Sequence, residues 1–534
     1  MSCPAPGCPP AGRRRGRIRG VPHEMEQCAM QEIQGLSFTD IAERFGTPAY
    51  VYDADEITAT YRRLRGAFDE RIQLFYSLKP NPNISVVGLL GSLGAGAEVC
   101  SLGELRSALA AGVPADRILM TGPGKSVEEL TELVARDVRA VICESFAELR
   151  TIDEIAERLG KRPKVMLRVN PAHGVEGGRL TMAGRPRQFG IDEDLVLEAT
   201  TTVADHPHLD IIGVQIYTGT RILDAEVIVG NTERALDLAA KVATKLGIHV
   251  RMVDLGGGIG LAYFEGESDP DEEVFVSGIN RAARRFLEDH PDAIIAMEPG
   301  RYLVGTAGVC VLRVRYVKES RGQRYAVTDG GSNMNMSAIG LGTYVKRNFP
   351  TVLLSDERPL DGKWSVTGPL LTPTDVLTKQ AELPELRPGD LVGILRMGAY
   401  GPTASIAYMN GQGYPAEILV VDGVAHLVRE RDTPDDLLRK QRLVDFTEGG
   451  GEDADGRVDI RPAIADVLGR EVSELGTDSR LHDDLHLDSL SMVELVARLE
   501  DEFKIVVDPE ALTLAHFATV DSLTAYVRSR LDEQ

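Results

Sequence analysis

The stretch ILMTGPGKSVEELTELVARDVRAVICESFAELRTIDEIAERLGKRPKVML (118–167) places three short apolar runs around two longer helix-like segments. The runs are Ile118–Met120, Ala140–Ile142 and Val165–Leu167, and the helical segments extend from Ser126 to Arg136 and from Ser145 to Leu159. Strand, helix, strand, helix, strand in this order means βα units on a parallel sheet. The same texture reaches outward through Ala49–Tyr52 and Leu74–Tyr76 on one side and Ile211–Val214 on the other. Eight such units between about 55 and 300 predict a closed α/β architecture, a (β/α)8 barrel. Beyond Arg301 the texture turns β-rich, with Val309–Val317, Tyr325–Thr328 and Ile418–Val421 as strands. A second, all-β domain is expected over 301–440, with residues 33–54 supplying a lead-in strand that packs with it.

The chain has 534 residues, 43% hydrophobic and 26% charged, a globular composition that excludes a disordered or fibrous protein. Its formal charge of −22 makes it a poor ligand for nucleic acid or anionic lipid. No apolar run approaches the roughly 20 residues that span a bilayer. The six cysteines form no CxxC pair, so neither a disulfide framework nor a metal site is indicated, and a reducing cytoplasm is the expected compartment. Residues 1–32 are rich in Pro and Gly with five arginines between Arg13 and Arg19, and no apolar core follows them. They read as a basic, disordered tail, not a secretory signal.

Three features carry chemistry. Lys79, in Tyr76-Ser77-Leu78-Lys79-Pro80-Asn81, follows a predicted strand at the barrel's C-terminal mouth, where such barrels keep their active sites. Alone it would be an ordinary surface lysine. Asp254-Leu255-Gly256-Gly257-Gly258-Ile259-Gly260 follows another strand and offers successive backbone N–H groups to an anion, most often a phosphate. Glu298-Pro299-Gly300-Arg301 closes the last strand with a carboxylate suited to a protonated ring nitrogen and a guanidinium suited to a phosphate. An amine, a phosphate cradle and such a carboxylate are the parts that pyridoxal phosphate needs.

Nine blocks in order over about 47–437 resemble the fold-type III pyridoxal-phosphate decarboxylases of ornithine, arginine and diaminopimelate, which join an alanine-racemase-like barrel to a β domain. They are YSLKPN (76–81), GAGAEVCSLGEL (94–105), LRVNP (167–171), FGI (189–191), DLGGG (254–258), EPGR (298–301), TDGG (328–331), GPLLTPTD (368–375) and GDLVGILRMGAYG (389–401). By that resemblance Lys79 is the Schiff-base lysine and Glu298 the acid that keeps the pyridine nitrogen protonated. Gly256, Gly257, Gly258, Arg301 and Tyr400 are the phosphate ligands, and a homodimer is implied, with the GPLL block completing the partner's site.

Three departures stand out. Tyr217 occupies the position of a histidine that stacks on the cofactor, and it keeps a flat π surface while altering any proton-donor role. Leu371 replaces the cysteine that returns a proton to the substrate carbon, so Lys79, a water or another group must do this, or the barrel is catalytically degenerate. Thr372 replaces an acid that grips a distal ammonium. The loop that carries another such acid reads Tyr344 to Pro350 with Lys346 and Arg347, two cations that repel a distal ammonium or are merely solvated. A neutral or anionic far end of the substrate is expected.

Residues 445–457, in a linker spanning 441–457, are glycine and acid with little to bury. Beyond it, 458–534 carries 17 Asp and Glu against 7 Lys and Arg. His486-Leu487-Asp488-Ser489-Leu490 opens a helix with Asp488 near its cap and Leu490, Val493 and Leu495 behind it. This segment resembles an acyl or peptidyl carrier protein, a small all-α four-helix domain. The resemblance implies a 4′-phosphopantetheine arm on Ser489, a phosphopantetheinyl transferase, an amino-acid-loading ligase and a downstream acyltransferase or synthase. The tether makes the encounter of carrier and decarboxylase intramolecular. Decarboxylation consumes the α-carboxylate and needs a free α-amine, so a tethered substrate must be attached through its side chain. A γ-glutamyl or β-aspartyl thioester would give a 4-aminobutyryl or β-alanyl thioester, starters of the kind used in secondary metabolism. Two alternatives are a decarboxylase of free amino acid whose carrier serves another enzyme, and an inactive barrel that acts as a carrier scaffold.

Overall fold

The computed structural model describes residues 30–172, 180–181, 186–339, 347–443, 458–507, 513 and 515–532. The expected tail over 1–32 and linker over 441–457 lie largely outside them. Two compact units meet in sequence between Lys440 and Gln441.

The first unit contains a closed barrel. Strands Ile72–Ser77, Gly96–Val99, Ile118–Met120, Ala140–Cys143, Lys164–Asn170, Asp210–Gln215, Met252–Asp254 and Ile294–Met297 pair in sequence order, all parallel, and the last returns to the first. Phe75, Leu119, Ile142, Met166, Ile212 and Met252, from six of these strands, belong to one fully buried cluster. The helices start where the chain satisfies their orphan N–H groups. Ser126 forms a capping box with Glu129 ahead of Val127–Arg136, and Ser145 accepts from the N–H of Glu148 ahead of Phe146–Leu159. Gly96–Val99 is fully buried but short and contains a glutamate, so it does not stand out as an apolar run.

Ala49–Asp53 shares the alternating texture of the barrel strands but belongs to the other sheet. It pairs antiparallel with Gly308–Ser320 and parallel with Ala416–Val421. Gly308–Ser320 also pairs with Gln323–Thr328 and Leu391–Leu395, forming the centre of the β region. This region is tied to the barrel's C-terminal end: the Tyr400 N–H donates to Pro80 O at 2.8 Å, and Asn81 Nδ2 donates to Gly398 O at 3.2 Å.

The second unit has α-helices Arg461–Leu468, Ser489–Phe503 and Val520–Asp532 among the described residues, with a 3-10 turn at Val472–Glu474. Residues 508–512 lie outside the description. Leu481, Leu487, Leu495, Leu499, Leu523 and Val527 are in its core. Val493, expected behind the cap with Leu495, is instead 68% exposed. Two residues apart on a helix, the two side chains point about 200° apart, so they cannot share the buried stripe. Among the described residues, no helix is long and apolar enough to cross a membrane.

Candidate active site

The C-terminal ends of the barrel strands converge on one cavity of about 420 Å³, lined by Lys79, Tyr217, Gly257, Gly258, Glu298, Arg301 and Tyr400. Lys79 stands two residues past Ile72–Ser77. Its side chain is 42% exposed, and its Nζ lies 3.2 Å from Glu98 Oε2 and 3.3 Å from Oε1. Burial disfavours the ammonium, but the Glu98 carboxylate outweighs it, with Cys100, Glu298 and Tyr217 adding to the effect, and holds Lys79 well above the usual lysine range.

Glu98 is fully buried on the neighbouring strand. Its Oε1 accepts from Cys100 Sγ at 3.0 Å and from the Thr121 hydroxyl. Burial would raise this acid, yet the Lys79 ammonium and these donors bring it down to about 2. A carboxylate this strongly held is fixed as an anion.

A second buried acidic group sits across the barrel. Gln215 Nε2 lies 3.0 Å from Glu298 Oε1 and 3.0 Å from Asp254 Oδ2. Burial, then the charge of Asp254, pushes Glu298 well above the usual carboxylate range, and burial raises Asp254 also. Gln215 Oε1 is buried with no hydrogen-bond partner among the described residues.

At the other end the glycines are required by space. A Cβ at Gly257 would lie 2.5 Å from Glu298 O, and one at Gly258 would lie 2.3 Å from Gly219 O, with φ +107° at Gly258. The Gly256 N–H donates to Asp254 Oδ1 at 2.8 Å, so this amide is already committed. Arg301 stacks 4.4 Å over the Tyr400 ring and donates to Tyr263 Oη at 3.1 Å. Tyr400 takes a left-handed φ of 57°, uncommon for a tyrosine, and burial pushes its hydroxyl up to about 12.

Tyr217 is half-buried, and its ring lies against Gly256, where a Cβ would come within 2.5 Å of Tyr217 Cδ2. The Arg168 guanidinium lies 4.9 Å from the Phe189 ring centre and 6.0 Å from that of Tyr217. Arg168 Nη1 is fixed by Glu144 Oε1 at 2.6 Å, and Glu144 also accepts from the N–H groups of Gly122 and Gly190.

Other expected residues stand apart from this cavity. Thr372 is half-buried and pairs with Thr374 at 2.9 Å, while Leu371 is 91% exposed. Arg347 Nη1 lies 3.3 Å from Glu267 Oε1, and Lys346 lies outside the described residues. In the second unit, Ser489 is the first residue of its helix, and Asp488 Oδ1 accepts from the Ser491 N–H at 2.8 Å. Glu98, Gln215, Asp254 and Arg168 were not singled out from the sequence. Glu98 and Arg168 sit inside recognised blocks, and the available signal was a charged residue inside an apolar strand.

Residues 54–305 match the model of the pyridoxal-dependent decarboxylase pyridoxal-binding domain, and 458–527 match that of the phosphopantetheine attachment site. The L-glutamyl-[BtrI acyl-carrier protein] decarboxylase of Niallia circulans is 36% identical over 419 residues, covering 77% of this chain and 97% of that protein. The chain belongs to the pyridoxal-dependent decarboxylases. The diaminopimelate decarboxylase of Methanothermobacter thermautotrophicus is 34% identical to this decarboxylase, over 77% of this chain and 95% of its own. The crystal structure of diaminopimelate decarboxylase from Helicobacter pylori complexed with L-lysine superposes with a TM-score of 0.69 at 30% identity, covering 76% and 98% of the two chains.

The decarboxylase is thus a pyridoxal-phosphate enzyme with a C-terminal domain that carries 4′-phosphopantetheine. The cavity suits the first cofactor. It offers an amine within an open mouth, a buried acidic pair with an unsatisfied Gln215 oxygen beside it, glycines that tolerate no Cβ, and an arginine braced by two tyrosines.

Proposed function

We propose that this decarboxylase acts on an amino acid bound through its side-chain carboxyl as a thioester on its own carrier domain, with γ-glutamyl the leading substrate and 4-aminobutyryl the product. The observation that carries this reading is the fusion itself. A chain matching a carrier-specific glutamyl decarboxylase over 97% of that protein's length continues into a phosphopantetheine domain. Decarboxylation removes the α-carboxylate and occupies the α-amine, so only the side-chain carboxyl is free to be the tether. Thr372 in place of an acid agrees with a far end that is not an ammonium. Glu267 pairs with both Arg221 and Arg347. A place in secondary metabolism follows from this product class.

In this reading Lys79 holds pyridoxal phosphate covalently, and the N–H groups of Gly257 and Gly258, with Arg301 and Tyr400, hold its phosphate. Pyridoxal phosphate, when bound, supplies a ring that accepts the electron pair left as CO2 departs. Glu298 holds a proton at the ring nitrogen and is kept in place by Gln215 and Asp254. Tyr217 covers one face of the ring. Ser489 carries the arm, installed by a phosphopantetheinyl transferase and charged by a ligase, and the product passes to a downstream acyltransferase or synthase. The exposed Leu371 agrees with burial against a second copy in a homodimer.

The test compares CO2 release from free glutamate and from γ-glutamyl-loaded protein, in wild type and Ser489→Ala. Release from loaded wild type alone is the expected result. Equal release from free glutamate by Ser489→Ala would move the carrier's role to another enzyme.

A further inference from the structure

Losing CO2 leaves the substrate α-carbon one proton short, and Leu371, where the family resemblance places a thiol, has none to give. We propose that this proton comes from the Lys79 ammonium, and that Glu98 is the positioning residue that keeps it there. The inference rests on the decarboxylase chemistry and holds whether the substrate is free or tethered.

The geometry selects the donor. Lys79 Nζ is within 3.3 Å of both Glu98 oxygens. Glu98 has no exposed surface, so its charge is not screened by water. Thr121 and Cys100 both donate to Glu98 Oε1, which fixes that carboxylate as an anion and rules it out as the acid. Cys100 is a thiol beside Lys79, but its Sγ donates to Glu98 Oε1 at 3.0 Å. Lys79 differs from both. Lys79 lines the cavity where pyridoxal phosphate would be held, and its Nζ, once freed by the substrate's α-amine, would be an ammonium held there by Glu98.

The step balances. The bond from the α-carbon to the carboxylate breaks, and CO2 leaves without the bonding pair. That pair forms a new C–H bond with a proton from Lys79 Nζ, and the ammonium becomes a neutral amine. The neutral amine is also the form needed to recover the cofactor and release product. The groups facing Lys79 are Glu98, Cys100 and Glu104 from one side, Glu298 and Tyr217 from the barrel, and Tyr400 from the β region. The acids and the thiol act to keep the proton on Lys79.

The experiment uses Glu98→Gln, Glu98→Asp and Cys100→Ser in the full chain. In cofactor-free protein, the pH dependence of Lys79 acylation by a soluble amine reagent is read by peptide mass. In loaded enzyme, kcat is measured against pH, with CO2 and amine product both quantified. Glu98→Gln should move the Lys79 labelling midpoint down by a pH unit or more and move the alkaline fall of kcat the same way. At neutral pH, where Lys79 still keeps its proton, kcat should change far less than on the alkaline limb. Glu98→Asp should recover part of both shifts, and Cys100→Ser should keep the wild-type limb. Unmoved labelling and an unmoved limb in Glu98→Gln would overturn the proposal. Loss of the limb in Cys100→Ser would overturn it in favour of the thiol. Wild type that releases no CO2 from any substrate would overturn it together with the decarboxylase reading, whereas CO2 release with an unmoved limb removes this proposal alone.

Discussion

Gln215 Nε2 lies 3.0 Å from Glu298 Oε1 and at the same distance from Asp254 Oδ2, which joins two buried acids from adjacent strands. Burial raises both acids, and Glu298 stays at the cavity wall. Glu298→Gln keeps the size and the hydrogen bond but removes the acid. It is expected to leave the fold and the bound colour of the cofactor intact and to lower kcat by about 100- to 1,000-fold, the scale of a removed electrostatic partner. CO2 release at saturating cofactor, beside a thermal melt, checks this.

Arg301 stacks on Tyr400 and bonds to Tyr263, so its guanidinium has a fixed direction. Arg301→Ala should weaken pyridoxal phosphate by roughly 10- to 100-fold, the equivalent of about 1.5–3 kcal/mol for a charge-assisted contact. Binding of pyridoxal without its phosphate should change little. Titration of the visible absorbance with each aldehyde separates the two.

The glycine turn is a steric requirement. Gly257→Ala would put a Cβ 2.5 Å from Glu298 O, whereas a Cβ at Gly124 would meet nothing within 4 Å. Urea unfolding should show a loss of about 1–3 kcal/mol for Gly257→Ala and little change for Gly124→Ala.

Acid stability has a sign that can be worked out. Lys79 and its hydrogen-bond donors bring Glu98 down to about 2 against burial, so its contribution is complete above the ordinary glutamate range near pH 4.5. That contribution is lost as pH falls from about 4.5 towards 2. Glu298 and Asp254, both raised, work in the opposite sense. The difference in urea midpoint between wild type and Glu98→Gln therefore isolates Glu98, and it should shrink across this window. A difference that grows on acidification would contradict the pairing with Lys79.

In the carrier unit, Leu495 is fully buried and Val493 is 68% exposed. Leu495→Ala should cost about 2–5 kcal/mol, and Val493→Ala within about 0.5 kcal/mol. Denaturation followed on the carrier's own signals distinguishes them.

Much of this molecule is legible from residue order. The barrel showed itself in apolar runs spaced by helices, and the carrier in Asp488-Ser489-Leu490 within an acidic segment. What escaped was charge hidden inside strands. Glu98 lies in Gly96–Val99, too short and mixed to register as a strand, and its importance comes from Lys79 on the neighbouring strand's loop. Gln215 and Asp254 lie 39 residues apart and meet only because their strands pair. Ala49–Asp53 has the texture of a barrel strand, since a buried strand reads the same in either sheet, and it lies within the 33–54 lead-in expected to pack with the β domain, where it pairs with Gly308–Ser320 and Ala416–Val421. Gly256 matched a phosphate ligand by position, but its N–H is held by Asp254.

The central claim is decarboxylation of a side-chain thioester on Ser489 by chemistry centred on Lys79. It is tested most directly by intact-protein mass spectrometry of phosphopantetheinylated enzyme charged with γ-glutamate. The account predicts that the loaded species loses the mass of one CO2 in wild type and keeps its full mass in Lys79→Ala. A wild-type species that keeps its full mass, with pyridoxal phosphate bound, would contradict it.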